Sequence, residues 1–248
     1  MIDWGVYDFD YPMAWTCLLS HYTQRLQHCC YPYNSDYING YPKLSVKADQ
    51  VLVSHEHFGH NYRAGVILSG RPESESPFEI ETLKVPHDFK MGNWRGFCLI
   101  HILKADGIKL VHMSDLGTQL SGGEISKLFG ADVMMICAGS CTALPSQEAK
   151  RATDEVMPNV IIPMHYRDGN RGGHRLEMVR DFANYFESEE MIHYYDTDTI
   201  EIAPGMEPQV AVLKYIGVNE KPEETVRTKK IVGLLARLRE RKNAKNAS

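Results

Sequence analysis

The sequence predicts an α/β sandwich. Two observations carry that expectation: from Ala48 onward short β-branched and apolar runs recur, and amphipathic helical segments are interspersed among them. A third narrows it. The two kinds of segment do not alternate regularly, which suits packed sheets with helices better than a doubly wound parallel sheet.

VLVS (51–54) and GVILSG (65–70) are short strand candidates on either side of a histidine-rich loop. FEIETLKVPHDF (78–89) alternates apolar and polar residues, the period of a half-buried strand. In GFCLIHILKADGIKLVHMSD (96–115) two apolar runs flank an Ala-Asp-Gly turn signal and predict a hairpin. SGGEISKLFG (121–130) reads as a short helix, and ADVMMICAG (131–139) as a continuously apolar strand buried on both faces. SQEAKRATDEVM (146–157) is a helix, NVIIPMHY (159–166) another buried strand, and HRLEMVRDFANYF (174–186) a further amphipathic helix. IHYYDTDTIEIA (192–203) and QVAVLKYI (209–216) close the domain with strands.

Upstream, AWTCLLSHYTQRLQ (14–27) spaces Trp15, Leu18, Leu19, Tyr22 and Leu26 as a helix would, with an irregular strand pair as the alternative. Downstream, Val226, Ile231, Leu234, Leu235 and Leu238 fall on one side of a helix whose other side is basic. Such a helix docks on the acidic body or frays, with a partner or anionic surface as the other reading. The chain is thus expected to comprise an N-terminal segment (1–42) packed on the main domain, that domain (43–218) and a basic tail (219–248).

Composition sets outer bounds. A chain of 248 residues with 43% hydrophobic and 24% charged residues has the make-up of a globular protein with a substantial core. No run of 18 apolar residues exists to span a membrane, and MIDWGVYDFDYP has neither the basic start nor the apolar stretch of a signal peptide, so a cytoplasmic location is expected. The last 30 residues carry nine Lys/Arg against four Glu, which leaves 18 Lys/Arg against 28 Asp/Glu in residues 1–218, net −10. An acidic body argues against nucleic acid as the main partner and leaves a small-molecule substrate, with a homo-oligomer open. The six cysteines form no CxxC pair, which argues against a disulfide framework or zinc ribbon. Cys137 and Cys141 are a weak metal-ligand candidate, since they straddle a strand and a loop.

Six residues stand where strands run out into loops: His55, His57, His60, His87, Asp115 and His165. Alternation along an extended chain puts His55 and His57 on one side, aimed at one ion, and His60 adds a third imidazole. Imidazole and carboxylate suit zinc first, with manganese or iron as alternatives, and this set can hold one or two ions. His101, His112, His174 and His193 are read as structural.

At these positions the chain resembles the metallo-β-lactamase-fold metal-dependent hydrolases, in particular the branch similar to ascorbate-6-phosphate lactonases. The resemblance spans about residues 41–215. It rests on SHEHFGHN in place of an HxHxDH loop, on VPHDF, on HMSDLG, on IIPMHY, and on ADVMMICAGSCTALPSQEA between the last two motifs. It implies a four-layer αβ/βα sandwich with metals at one edge, between two sheets. It further implies that His55, His57 and His87 hold a first metal, and that Asp115 bridges to a second held also by His60 and His165. Asp115 and His165 then serve catalysis, in which a metal-bound hydroxide attacks an ester, lactone, amide or phosphodiester.

Two residues depart from that pattern. Gly59 stands where an aspartate ligand of the second metal is expected, and Tyr31 where an aspartate supporting the histidine loop is expected. A weakened second site follows from the first, and lost support for the ligands from the second. Glu56, Asp88 and Asp168 are the carboxylates near enough in sequence to compensate. Two functions stay open: a metal-dependent hydrolase, or an impaired relative that binds one metal or a ligand in a regulatory role. Trp94 and Arg95 are candidates for touching substrate. An electron-transfer role is disfavoured, since the resemblance then calls for an acidic residue at His57 and a flavin domain.

Overall fold

The computed structural model describes residues 9–10, 17–21, 26–34, 36, 43–57, 59–72, 76–167 and 174–214. The basic tail expected as a helix, and Asp168, lie outside them.

The frame is a mixed seven-stranded sheet. Its strands are β7 (Glu79–Pro86), β8 (Phe97–Ala105), β9 (Ile108–His112), β10 (Val133–Cys137), β11 (Val160–Met164), β12 (Ile192–Tyr194) and β13 (Gln209–Val212), in the order β12-β13-β11-β10-β9-β8-β7. β7, β8 and β9 are antiparallel neighbours, whereas β9, β10, β11, β13 and β12 run parallel. β7, β9, β10 and β11 therefore point the same way, and their carboxyl ends share one edge. The hairpin expected at Ala-Asp-Gly is present. Asp106 and Gly107 both have positive φ (50° and 80°), as the type I′ geometry of a two-residue hairpin demands.

Alternate residues of the central strands feed two cores. Val111, Met134, Ile136 and Ile161 face one core, which also takes Leu128 of α1 (Gly122–Leu128), Ala149, Ala152 and Val156 of α2 (Ser146–Val156), and Phe182 of α3 (Val179–Ala183). Leu110, Val133, Met135 and Ile162 face the other, with Cys30, Tyr31 and Leu52 opposite. Those last residues belong to or adjoin a four-stranded sheet of β1 (Phe9–Asp10), β2 (Cys17–His21), β3 (Leu26–Cys30) and β5 (Gln50–Leu52). A small parallel pair, β4 (Val46–Ala48) with β6 (Val66–Leu68), completes the sandwich. Burial on both faces explains why β10 and β11 read as unbroken apolar runs.

Two expectations need correction. Where a helix is expected across residues 14–27, the described residues 17–21 and 26–27 are strand, the alternative reading: β2 pairs antiparallel with β3, which pairs in parallel with β5. Backbone pairing with a third strand overrides local helical spacing there. The helix expected over 174–186 shrinks to Val179–Ala183. Glu177 donates its N–H to the Gly139 carbonyl and accepts from the Arg167 N–H, each at 2.8 Å, so the chain is held extended up to the cap at Met178.

Helix α1 begins on the capping box that the sequence spells, Ser121 with Glu124. Helix α2 ends on Met157, exposed and in the left-handed region (φ 53°, ψ 54°), where a side chain strains the backbone and glycine does not. Met157→Gly is expected to raise unfolding free energy by about 0.5–1 kcal/mol in a urea titration. A loss of stability there would assign the methionine a packing role instead.

Candidate metal centre

The six residues singled out from the sequence come together at the shared strand edge. His87 follows β7, Asp115 follows β9, and His165 follows β11, while the SHEHFGH loop leaves β5 in the facing sheet. The Leu99 N–H donates to the Ser54 carbonyl at 3.0 Å, which ties that loop to the start of β8 at the same edge.

Asp115 sits at the middle, only 4% exposed. Its Oδ2 lies 3.1 Å from His60 Nε2 and 3.3 Å from His87 Nε2, and its Oδ1 lies 3.4 Å from His165 Nδ1. Each oxygen thus faces a different set of donors. Donor atoms cluster within 4.8 Å in three overlapping groups: His55, His57 and His60; His55, His87 and Asp115; and Asp115, Cys137 and His165.

The ring orientations are fixed by local contacts. His55 Nδ1 lies 2.9 Å from Ser54 Oγ, leaving a buried Nε2 with no hydrogen-bond partner among the described residues. His57 Nδ1 accepts the Gly59 N–H at 3.2 Å, which sets the orientation of its ring. Gly59 therefore offers no ligand atom but does orient one through its backbone. Two residues at the site have left-handed backbones, Ser114 (φ 55°) and His165 (φ 53°). Strain of that kind persists only where surrounding contacts hold it.

Electrostatics favour neutral imidazoles at His55, His57 and His165 around an ionised carboxylate at Asp115. Burial, aided by the charge of His60, brings the His55 pKa down to about 3, and burial also lowers His57 and His165. Burial opposes ionisation of Asp115, but His60 and His165 outweigh it and hold the carboxyl well below the usual carboxylate range. At His87 burial likewise works against charge, yet hydrogen bonding and attraction to Asp115 win, and its pKa rises. Neutral nitrogen ligands beside a buried anion fit a divalent cation. Among the described residues, His55, His57, His60, His87, Asp115 and His165 can all serve one.

Tyr31 does not leave the place of the expected aspartate empty. Its ring is fully buried, edge-on to His112 at 3.9 Å and to His60 at 6.1 Å between centroids. Its hydroxyl donates to the Leu99 carbonyl at 3.2 Å and lies 2.5 Å from His101 Nδ1. Tyr31 thus backs His60 by packing where hydrogen bonding was expected, and His101 and His112 are structural partners in that packing. Of the carboxylates proposed to compensate, Glu56 turns outward, accepting from Asn61 Nδ2 at 2.6 Å. Asp88 is spent on its own loop, where it accepts the backbone N–H groups of Lys90, Gly92, Trp94 and Arg95.

That loop frames a cavity of about 600 Å³, lined by Phe89, Met91, Leu144, Pro145, Cys141 and Glu148 among others. Trp94 is exposed and packs edge-on against Phe89, with ring centroids 4.8 Å apart. The His87–Asp88 backbone also presses on Gly117, two residues past Asp115. A Cβ at 117 would come within 2.4 Å of both Asp88 N and His87 C. Gly117→Ala is expected to cost about 1–3 kcal/mol in stability by displacing that backbone, measured by chemical denaturation. An unchanged midpoint would show that the His87 loop yields freely.

No curated protein matches the chain significantly. Solved structures do. It is similar to a candidate zinc-dependent hydrolase of the metallo-β-lactamase superfamily from Thermotoga maritima, at 22% identity and a TM-score of 0.62, over 83% of this chain and 97% of that one. A candidate metal-dependent hydrolase from Parabacteroides distasonis matches at 15% identity and a TM-score of 0.56, over 83% and 93%. The metallo-β-lactamase fold protein YhfI from Bacillus subtilis matches at 12% and 0.52, over 85% and 97%. The profile of the Beta-lactamase superfamily domain matches residues 32–165, more than half of the chain. By that match and by its fold, the chain belongs to the β-lactamase superfamily and has the metallo-β-lactamase fold.

Proposed function

We propose that the protein is a metal-dependent hydrolase. The observation that carries this reading is the convergence of His60, His87 and His165 on the two carboxylate oxygens of the buried Asp115. His55, His57 and His87 are assigned to a first ion, His60 and His165 to a second, and Asp115 to both. Zinc suits these donors best, with manganese or iron as alternatives. A bound ion of this kind supplies Lewis acidity and brings the pKa of water to roughly 7. Asp115 holds the donors in register, and burial disfavours protons on His55, His57 and His165. With glycine at 59, the histidines and Asp115 alone hold the second ion less tightly than the first.

The substrate reading is an ester or lactone of a small molecule, in keeping with the lactonase-like branch, with amides and phosphodiesters as further classes. The cavity supports it. Its lining segments start two residues after His87 and two after Asp115, and its apolar residues with Glu148 suit an uncharged or weakly polar group better than a strongly anionic one. A non-catalytic, ligand-binding relative is the alternative that Gly59 favours.

Zinc-loaded protein is expected to hydrolyse members of a lactone, ester, thioester and phosphodiester panel, and Asp115→Asn to lower turnover at least about 10²-fold with loss of bound metal. Absence of turnover across the panel in fully loaded protein would favour the ligand-binding alternative. The raised His87 pKa sets a second expectation. The first ion binds only neutral His87, so below that pKa the affinity for the first zinc equivalent is expected to rise about tenfold per pH unit with release of a proton, and to flatten above it. Calorimetric titrations in buffers of different ionisation enthalpy count that proton. No proton release near neutral pH would remove His87 from the ligand set.

A further inference from the structure

Cys137 is the last residue of β10 and is fully buried. Its Sγ lies 3.3 Å from His165 Nδ1, 3.5 Å from Asp115 Oδ1 and 3.1 Å from the Ser114 carbonyl oxygen. A thiol has one proton, so at most one of these contacts can use it as a donor. The three donor atoms of Asp115, Cys137 and His165 nevertheless form a closed triangle, whose third edge, His165 Nδ1 to Asp115 Oδ1, is 3.4 Å.

Those edges match a coordination polyhedron. Zinc bonds of about 2.3 Å to sulfur and about 2.0–2.1 Å to nitrogen and oxygen, set at tetrahedral angles, place sulfur roughly 3.5 Å from each of the other two donors and those two about 3.4 Å apart. The observed edges are 3.3, 3.5 and 3.4 Å. We infer that Cys137 is a thiolate ligand of the second metal ion, completing with Asp115 and His165 the donor set that Gly59 leaves short of one anion.

The inference rests on the metal-centre reading and sharpens one half of it. On binding, the thiol proton leaves to solvent and the sulfur donates its lone pair to the ion. A site of carboxylate, thiolate and imidazole carries two protein negative charges, as it would with an aspartate at 59, but one donor is soft. That biases the second position toward zinc over manganese. Cys98 and Cys141 do not share the geometry. Cys98 is buried but joins none of the donor groups, and Cys141 is exposed at the cavity.

Cobalt(II) titration of the metal-stripped full chain tests this without relying on turnover. The wild type is expected to take up about two equivalents, with a sulfur-to-cobalt charge-transfer band in the near ultraviolet that grows with the second. Cys137→Ser is expected to abolish the band and lower affinity for the second equivalent at least about tenfold while the first still binds. Cys98→Ser and Cys141→Ser are expected to keep the band. Two bound cobalt ions without a thiolate band in the wild type would overturn the inference while the metal centre stands, and that result needs no variant to fold. A band lost in Cys141→Ser and kept in Cys137→Ser would overturn it as well. Failure to bind cobalt at all would bring down the metal-centre reading together with it.

Discussion

A carboxylate buried at the meeting of two sheets must be compensated, because an isolated ionised group in a protein interior is far costlier than any single contact there. Asp115 meets that demand with three imidazoles, from His60, His87 and His165, all within 3.4 Å of its oxygens. Much of the surrounding structure follows from keeping those groups together. β7, β9 and β11 end at one edge, the histidine loop is tied to β8 through Ser54, and Ser114 and His165 accept left-handed backbones. The arrangement leaves an excess of lone pairs directed inward, and a cation resolves that excess more completely than protons do.

Compensation extends outward by unequal means. Gly59 gives up a side-chain ligand yet still directs His57 through its N–H. Tyr31 supports His60 with a ring face and edge contacts where a carboxylate would do so by hydrogen bonds, and His101 and His112 complete that buried layer. Asp88 spends its charge on four backbone N–H groups, which shapes the loop over the cavity and removes it from the ligand set.

Much of the centre was legible before any coordinates. The strands that position it are apolar runs with clear punctuation, and each candidate ligand stands in the loop that follows one, so strand detection and ligand detection reinforce each other in VPHDF, HMSDLG and IIPMHY. The hairpin at Asp106–Gly107 is equally plain, because a two-residue turn is a local event with its own residue chemistry. Helical spacing in residues 14–27 misleads, since β3 pairs with β5, more than twenty residues further on, and β2 pairs with β3. The start of the 174–186 segment misleads for the same reason, since Glu177 is held by hydrogen bonds to Gly139 and Arg167.

Sequence alone determined the class of fold and picked out the histidines and the aspartate that the structure brings together, because these depend on periodicity and on motifs a few residues long. Tertiary structure decided how the donors are shared. Which Asp115 oxygen faces which imidazole, that Glu56 and Asp88 are engaged elsewhere, and that Cys137 parts company with Cys141 to join His165 are all matters of distance between strand ends. Cys137 and His165 are separated by a whole helix and strand in the chain, yet β10 and β11 lie side by side in parallel register and bring their ends to 3.3 Å. No local pattern encodes that approach, since parallel pairing is fixed by the packing of the entire sheet.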